Sequence, residues 1–187
     1  RQFDCVTGDC APWSSVRAHG RYQVPSGAHH SVLPEQTLQA GMPTIAETHI
    51  INRERVQPTH ANNYQSAHGG IVMKWMDEIG AMSAMRAARE TCVTAQMSRV
   101  DFERPIPIGD TALIDSYAYA TGRTSVRVRI EVAREEPHTG ETEETTSAYA
   151  TFVAVDDGKP TPVPELTAES EECKRLRETA LAEEPER

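Results

Sequence analysis

The stretch that most restricts the fold is residues 69–89, GGIVMKWMDEIGAMSAMRAAR. Val72, Trp75, Met76, Ile79 and Met82 recur at three- and four-residue spacings, which predicts one long helix with an apolar stripe. Ala81, Ala84, Ala87 and Ala88 broaden that stripe. A helix of this length rises about 30 Å, and a face so wide is not satisfied by lying loosely on a surface. It calls for a sheet that embraces it.

The rest of the patterned sequence supplies such a sheet. Patterning begins at Met42, and a short strand is expected over 45–56, followed by a loop through Pro58 and Asn62. After the helix, TCVTAQMSRVDF (91–102) places Val93, Ala95 and Met97 on one face. TALIDSYAYAT (111–121) alternates Ala112, Ile114, Ser116, Ala118 and Ala120 against Leu113, Asp115, Tyr117 and Tyr119. TSVRVRIEVARE (124–135) is the cleanest case, with Val126, Val128, Ile130 and Val132 inward and Arg127, Arg129 and Glu131 outward. In TTSAYATFVAVDDG (145–158), Ala148, Ala150, Phe152 and Ala154 share a side. Gly109-Asp110 reads as a tight turn and PHTGE (137–141) as a hairpin connection. Strand, long helix, then four strands predicts an α+β fold, an antiparallel β-sheet wrapped around one long central helix.

At 187 residues the chain suits one well-buried domain, expected over 42–165. Residues 1–41 hold no lasting period and are expected to be a disordered extension, with Met42 as the natural start. That extension carries as many acidic as basic residues, so the formal net charge of -9 belongs to residues 42–187. Such a balance does not neutralise phosphates, which argues against a nucleic-acid partner. Residues 166–187 form an acidic tail with a short, solvated helix, on which Cys173, Leu176 and Ala180 share helical spacing. No apolar run has the length to cross a bilayer and none has a secretory pattern, so the expected location is cytoplasmic. Cys5, Cys10, Cys92 and Cys173 make no disulfide framework, and Cys5, Cys10, His19, His29 and His30 lack zinc spacing. No metal is expected.

Chemistry gathers in NNYQSAHGGIVMKWMDE, residues 62–78. Two glycines at a helix start are costly unless the backbone must come close to something. The N–H groups of a first turn lack intrahelical partners and can hold an oxyanion, and the same glycines can equally allow tight helix–sheet packing. Asp77 follows Gly70 by about 10 Å along the axis and about 20° around it, on nearly the same face. A carboxylate beside Trp75, Met76 and Ile79 needs a partner or a task, as general base or nucleophile, unless it is an exposed edge residue. It lies too far from Gly69 and Gly70 of its own helix to share a substrate carbonyl with them, so chemistry here requires a second copy related by a two-fold axis. Glu78 points elsewhere. His68 lines the site or serves the loop, and Asn62 and Asn63 compete as carbonyl donors. In GRTS (122–125), Arg123 offers a rigid fork of donors beside the Thr124 and Ser125 hydroxyls, suited to a phosphate, although a solvated turn reads the same. Trp75, Met76, Met82 and Met85 are either an adaptable apolar lining or core.

NNYQSAHGGIVMKWMDE, TCVTAQMSRVDFERPIPIGD, GRTSVRVRIEV and FVAVDDGKPTPVP occur in this order, and together they resemble the hotdog-fold acyl-CoA thioesterases across residues 50–165. The resemblance implies a hotdog fold and hydrolysis of a fatty or short acyl-coenzyme A. It implies Asp77 as catalytic carboxylate, Gly69 and Gly70 at the thioester carbonyl, and Asn62 in preference to Asn63. It implies Arg123, Thr124 and Ser125 as coenzyme A contacts, with His68 at the substrate and no metal or redox cofactor. It also implies a homodimer with a continuous sheet, often within a trimer of dimers. Gln65-Ser66-Ala67 departs from the pattern, since many relatives carry a glycine in that loop. A hotdog hydratase or dehydratase using His68, and an acyl-CoA-sensing domain without turnover, are the competing readings.

Overall fold

The computed structural model describes residues 41–185. The expectations for residues 1–40, including the cysteines and histidines weighed there as metal ligands, lie outside the described residues. The first element is not the strand expected from residue 45. The Thr44 hydroxyl accepts from the Glu47 N–H at 3.2 Å while the Glu47 carboxylate accepts from the Thr44 N–H at 2.8 Å. This capping box satisfies two backbone donors locally, so Ile45–Thr48 turns once as α1 and β1 begins later, at Ile50–Arg55. The long helix, α2, is Gly69–Ala88. Strands β2 (Thr91–Met97), β3 (Thr111–Thr121), β4 (Ser125–Glu135), β5 (Thr142–Asp156) and the short β6 (Lys159–Pro160) come next, and α3 (Glu171–Glu183) is last. The main sheet runs β1-β3-β4-β5-β2, antiparallel throughout, with β6 paired to β5.

The sheet curls round α2. Ala112, Ile114, Ser116 and Ala118 of β3, Val126, Val128, Ile130 and Val132 of β4, and Ala148, Ala150, Phe152 and Ala154 of β5 face the helix and are 2% exposed or less. Val72, Trp75, Met76, Ile79, Ala84 and Ala87 meet them from α2, as the helical spacing predicts. Many of these are alanines, which lets helix and sheet approach closely. Gly80 marks the tightest point, where a Cβ would lie 2.7 Å from Ile130 Cδ1 and 3.1 Å from Phe152 Cζ. Met82 departs from expectation: it is 45% exposed, just past the edge of the buried arc, and Ser83 turns inward instead. The Ser83 hydroxyl donates to the Ser116 carbonyl at 3.1 Å, which makes its burial tolerable.

Strand β2 also departs from its predicted phase. Cys92 is buried, whereas Val93 is 48% exposed. The strand lies at a sheet edge with one partner, and a register shift between Thr94 and Gln96 breaks the alternation. The turns hold: Gly109 and Gly140 have φ of 95° and 74°, conformations that glycine adopts without strain.

Helix α3 is seated on the outer face of the sheet, more firmly than its composition predicts. Arg177 donates through Nε to the Tyr119 carbonyl at 3.1 Å and through Nη2 to the Leu166 carbonyl at 2.6 Å. At its C-terminal end, Glu184 accepts from Arg127 at 2.5 Å and Glu183 from the Tyr149 hydroxyl at 3.4 Å. The Arg127 guanidinium lies 5.3 Å from the Tyr119 ring, and that of Arg129 lies 4.4 Å from the Tyr149 ring. Burial under this layer pushes the Tyr117 phenol up to about 12. No described helix is long and apolar enough to cross a membrane.

Candidate active site

The loop before α2 is built around Asn62. Its Oδ1 accepts from the Tyr64 N–H at 2.8 Å and from the Ser66 hydroxyl at 3.2 Å, while its own N–H donates to the Ser66 carbonyl at 2.8 Å. The carbonyl of the amide is thereby consumed within the loop. The Nδ2 amide donates to nothing among the described residues. Asn63, by contrast, is exposed. The loop closes with Gln65 at φ 58°, so a non-glycine side chain takes up the left-handed conformation here.

His68 caps α2, and its Nδ1 accepts from the Gly70 N–H at 3.0 Å. A ring nitrogen in that role carries no proton. The Gly69 N–H has no partner among the described residues. A Cβ on Gly69 would meet the Phe102 ring at 3.4 Å, and one on Gly70 would meet His68 Nδ1 at 3.3 Å. Neither would touch the sheet. The tightest helix–sheet packing therefore belongs to Gly80, and of the helix-start pair the Gly69 N–H is left without a partner while that of Gly70 is covered by His68.

Asp77 lies midway along α2, partly buried, and its Oδ1 accepts a short hydrogen bond from the Thr94 hydroxyl. Thr94 shares the face of buried Cys92 on β2, the edge strand. In the sequence Thr94 escapes notice because Val93 and Ala95 pass for the inward phase, and period-two parity with Cys92 was the available signal. Glu78 pairs with Lys74 at 3.0 Å on the exposed side of the helix, away from Asp77.

One cavity adjoins these groups. It holds about 340 Å³ beside the start of α2, and Asn62, Gly69, Val72, Phe102, Pro105 and Ile106 line it. None of the residues weighed as adaptable lining contributes: Trp75 and Met76 are core, while Met82 and Met85 face outward.

Arg123, Thr124 and Ser125 occupy the β3–β4 turn at the other end of the sheet. The Ala154 N–H donates to the Thr124 carbonyl at 2.9 Å and the Val163 N–H to the Arg123 carbonyl at 3.1 Å, which fix the turn. The Arg123 side chain is exposed and makes no hydrogen bond among the described residues. Ser125 pairs with Val153, and Val153 with Val93, so this turn lies across β5 from β2, at the level of Val93. Within one chain, then, Asn62 and Gly69 line one cavity, Asp77 joins Thr94 about 10 Å further on, and Arg123 makes no hydrogen bond to either group among the described residues.

Residues 64–141 match the family model described as the thioesterase superfamily. An uncharacterized acyl-CoA thioester hydrolase of Bacillus subtilis is 39% identical over 142 residues, which cover 75% of this chain and 83% of that protein. An apo-hexameric acyl-CoA thioesterase of known structure superposes with a TM-score of 0.69 at 38% identity, covering 75% of this chain and 92% of the other. An acyl-CoA hydrolase of Staphylococcus aureus, solved with butyryl coenzyme A, coenzyme A and coenzyme A disulfide, superposes with a TM-score of 0.70 at 31% identity and covers 76% and 87%. That hydrolase has also been solved with an asparagine, an aspartate and a threonine each replaced by alanine, at successive intervals of fifteen and seventeen residues. Asn62, Asp77 and Thr94 succeed one another at those same intervals. With this likeness over most of both chains, and a sheet curled round one long helix, the chain belongs to the thioesterase superfamily as a member of its hotdog-fold acyl-CoA hydrolases.

Proposed function

We infer that the protein hydrolyses acyl-coenzyme A thioesters to the free acid and coenzyme A. The observation that carries this reading is the pairing of an open helix start with a carboxylate fixed on the sheet edge. The thioester carbonyl accepts from the Gly69 N–H and from Asn62 Nδ2, and from the Gly70 N–H once the His68 ring has turned away. Asp77 of the partner chain, aimed by Thr94, takes a proton from water as the hydroxyl adds to the carbonyl carbon. Collapse of the tetrahedral species breaks the C–S bond, and the proton returns to the departing thiolate. Direct attack by Asp77 through an anhydride is the second route, and label from heavy-oxygen water entering Asp77 in a single turnover identifies it. The carboxylate and the N–H donors supply base and oxyanion stabilisation, so we assign no metal or redox cofactor. Arg123, with Thr124 and Ser125, meets a phosphate of coenzyme A.

The assembly is a consequence of the same geometry. A second copy adding its β2 antiparallel to this β2 extends the sheet and brings its own α2 alongside, which lets the helix start of one chain face Asp77 of the other. Three such dimers make a hexamer. Free, buried Cys92 and Cys173 suit a reducing cytoplasm.

Asp77→Asn tests the reading. It keeps the shape of the site and removes the base, so release of free thiol from an acyl-coenzyme A falls by about a thousandfold while acyl-coenzyme A still binds. A variant within tenfold of the parent would remove Asp77 from the chemistry.

A further inference from the structure

The cavity beside Gly69 has a consequence for substrate choice, which rests on the hydrolase reading above. Asn62 and Gly69 line it with N–H donors that have no partner among the described residues, and Glu103, Arg104 and Thr145 add further polar groups to its lining. Val72, Phe102, Pro105 and Ile106 supply apolar walls. A carbonyl held by these donors has the cavity beside it. The volume, about 340 Å³, lies near the lower limit for small-molecule sites. Phe102 is the wall nearest the donors: its ring edge stands 3.4 Å from where a Gly69 Cβ would be. It is also unlike the other large walls. Val72 and Ile106 are buried, whereas Phe102 is 44% exposed and stands outside the buried core.

We propose that the acyl chain occupies this cavity and that Phe102 sets the chain length and width it accepts. The first carbons beyond the carbonyl pack against the ring, and a chain that continues past them has to bend round its edge. Each methylene that finds apolar cover contributes about a fourfold gain in kcat/KM, so a wall at this point separates short from long esters steeply.

The test is a panel of butyryl-, octanoyl- and palmitoyl-coenzyme A assayed by thiol release with the full chain, its Phe102→Ala variant and its Phe102→Trp variant. Phe102→Ala is expected to lower kcat/KM for the butyryl ester and to raise the palmitoyl-to-butyryl ratio by at least about tenfold. Phe102→Trp is expected to lower the octanoyl-to-butyryl ratio. Unfolding temperatures close to the parent's confirm that both variants fold, as an exposed position predicts. Ratios within twofold of an active parent in both variants would overturn the proposal and leave the hydrolase reading standing. A folded parent that releases no coenzyme A from any ester would instead overturn the hydrolase reading, and this inference with it.

Discussion

The two edges of the sheet differ in the property that decides whether a strand stays alone. Strand β1 ends the sheet with Asn52, Arg53, Glu54 and Arg55, and Arg53 is clamped to Glu135 of β4 at 2.9 Å. Strand β2 ends it on the other side with TCVTAQM, which holds no charged residue and leaves Val93 exposed. Both strands carry unpaired backbone N–H and C=O groups outward. Charge is the usual means of keeping such a row from pairing, and it is present on β1 and missing from β2. The unprotected edge is also the one that carries Thr94, and through it Asp77. The open edge and the carboxylate thus meet at Thr94, which suits the two-chain site proposed above.

Moving charge onto the open edge should have the largest effect. Val93→Lys combined with Ala95→Lys gives β2 the character of β1, and sedimentation is expected to show the assembly reduced to folded monomers. Thiol release from acyl-coenzyme A should then fall by about a hundredfold or more, because each half-site loses its complement. A monomer that keeps full activity would break the link between edge and site. Thr94→Ala is milder. It leaves the edge uncharged and frees Asp77 to swing, so kcat is expected to drop by about ten- to a hundredfold with KM little changed and the assembly intact. Thr94→Ser, which keeps the hydroxyl, should restore most of that loss. The smallest effect is expected on the protected edge. Arg53→Thr removes one solvent-screened ion pair, and a denaturant midpoint indistinguishable from the parent's, with unaltered sedimentation, is the outcome that sharpens the contrast.

The contrast between the edges also explains what could be read from the sequence. The inward alternation of β3, β4 and β5 was legible because each is flanked by two partners and faces the helix along its length. On β2 the bulge at Thr94 and Gln96 and the missing second partner shift the phase, so Val93 and Ala95 passed for core and Thr94 stayed hidden. The capping box at Thr44 and Glu47 was visible in TIAE, but the apolar run beyond it read as strand. The separation of Asp77 from the Gly69-Gly70 pair along one helix was legible, because spacing along a helix is fixed geometry. The seating of α3 was not, since Arg177 reaches Tyr119 and Leu166 across intervals that no local period records. Gly80 looked like ordinary helix sequence, and only the positions of Ile130 and Phe152 disclose why a side chain is excluded there.

The imidazole at the head of α2 has an energetic consequence of its own. With His68 Nδ1 on the Gly70 N–H, that donor is satisfied while no substrate is bound. In the proposed reaction, a carbonyl oxygen that takes this position exchanges one acceptor for another at the Gly70 N–H, so this donor, unlike that of Gly69, is not left bare between turnovers. The cost of keeping a donor ready is thereby shifted from the helix to the rotation of one ring.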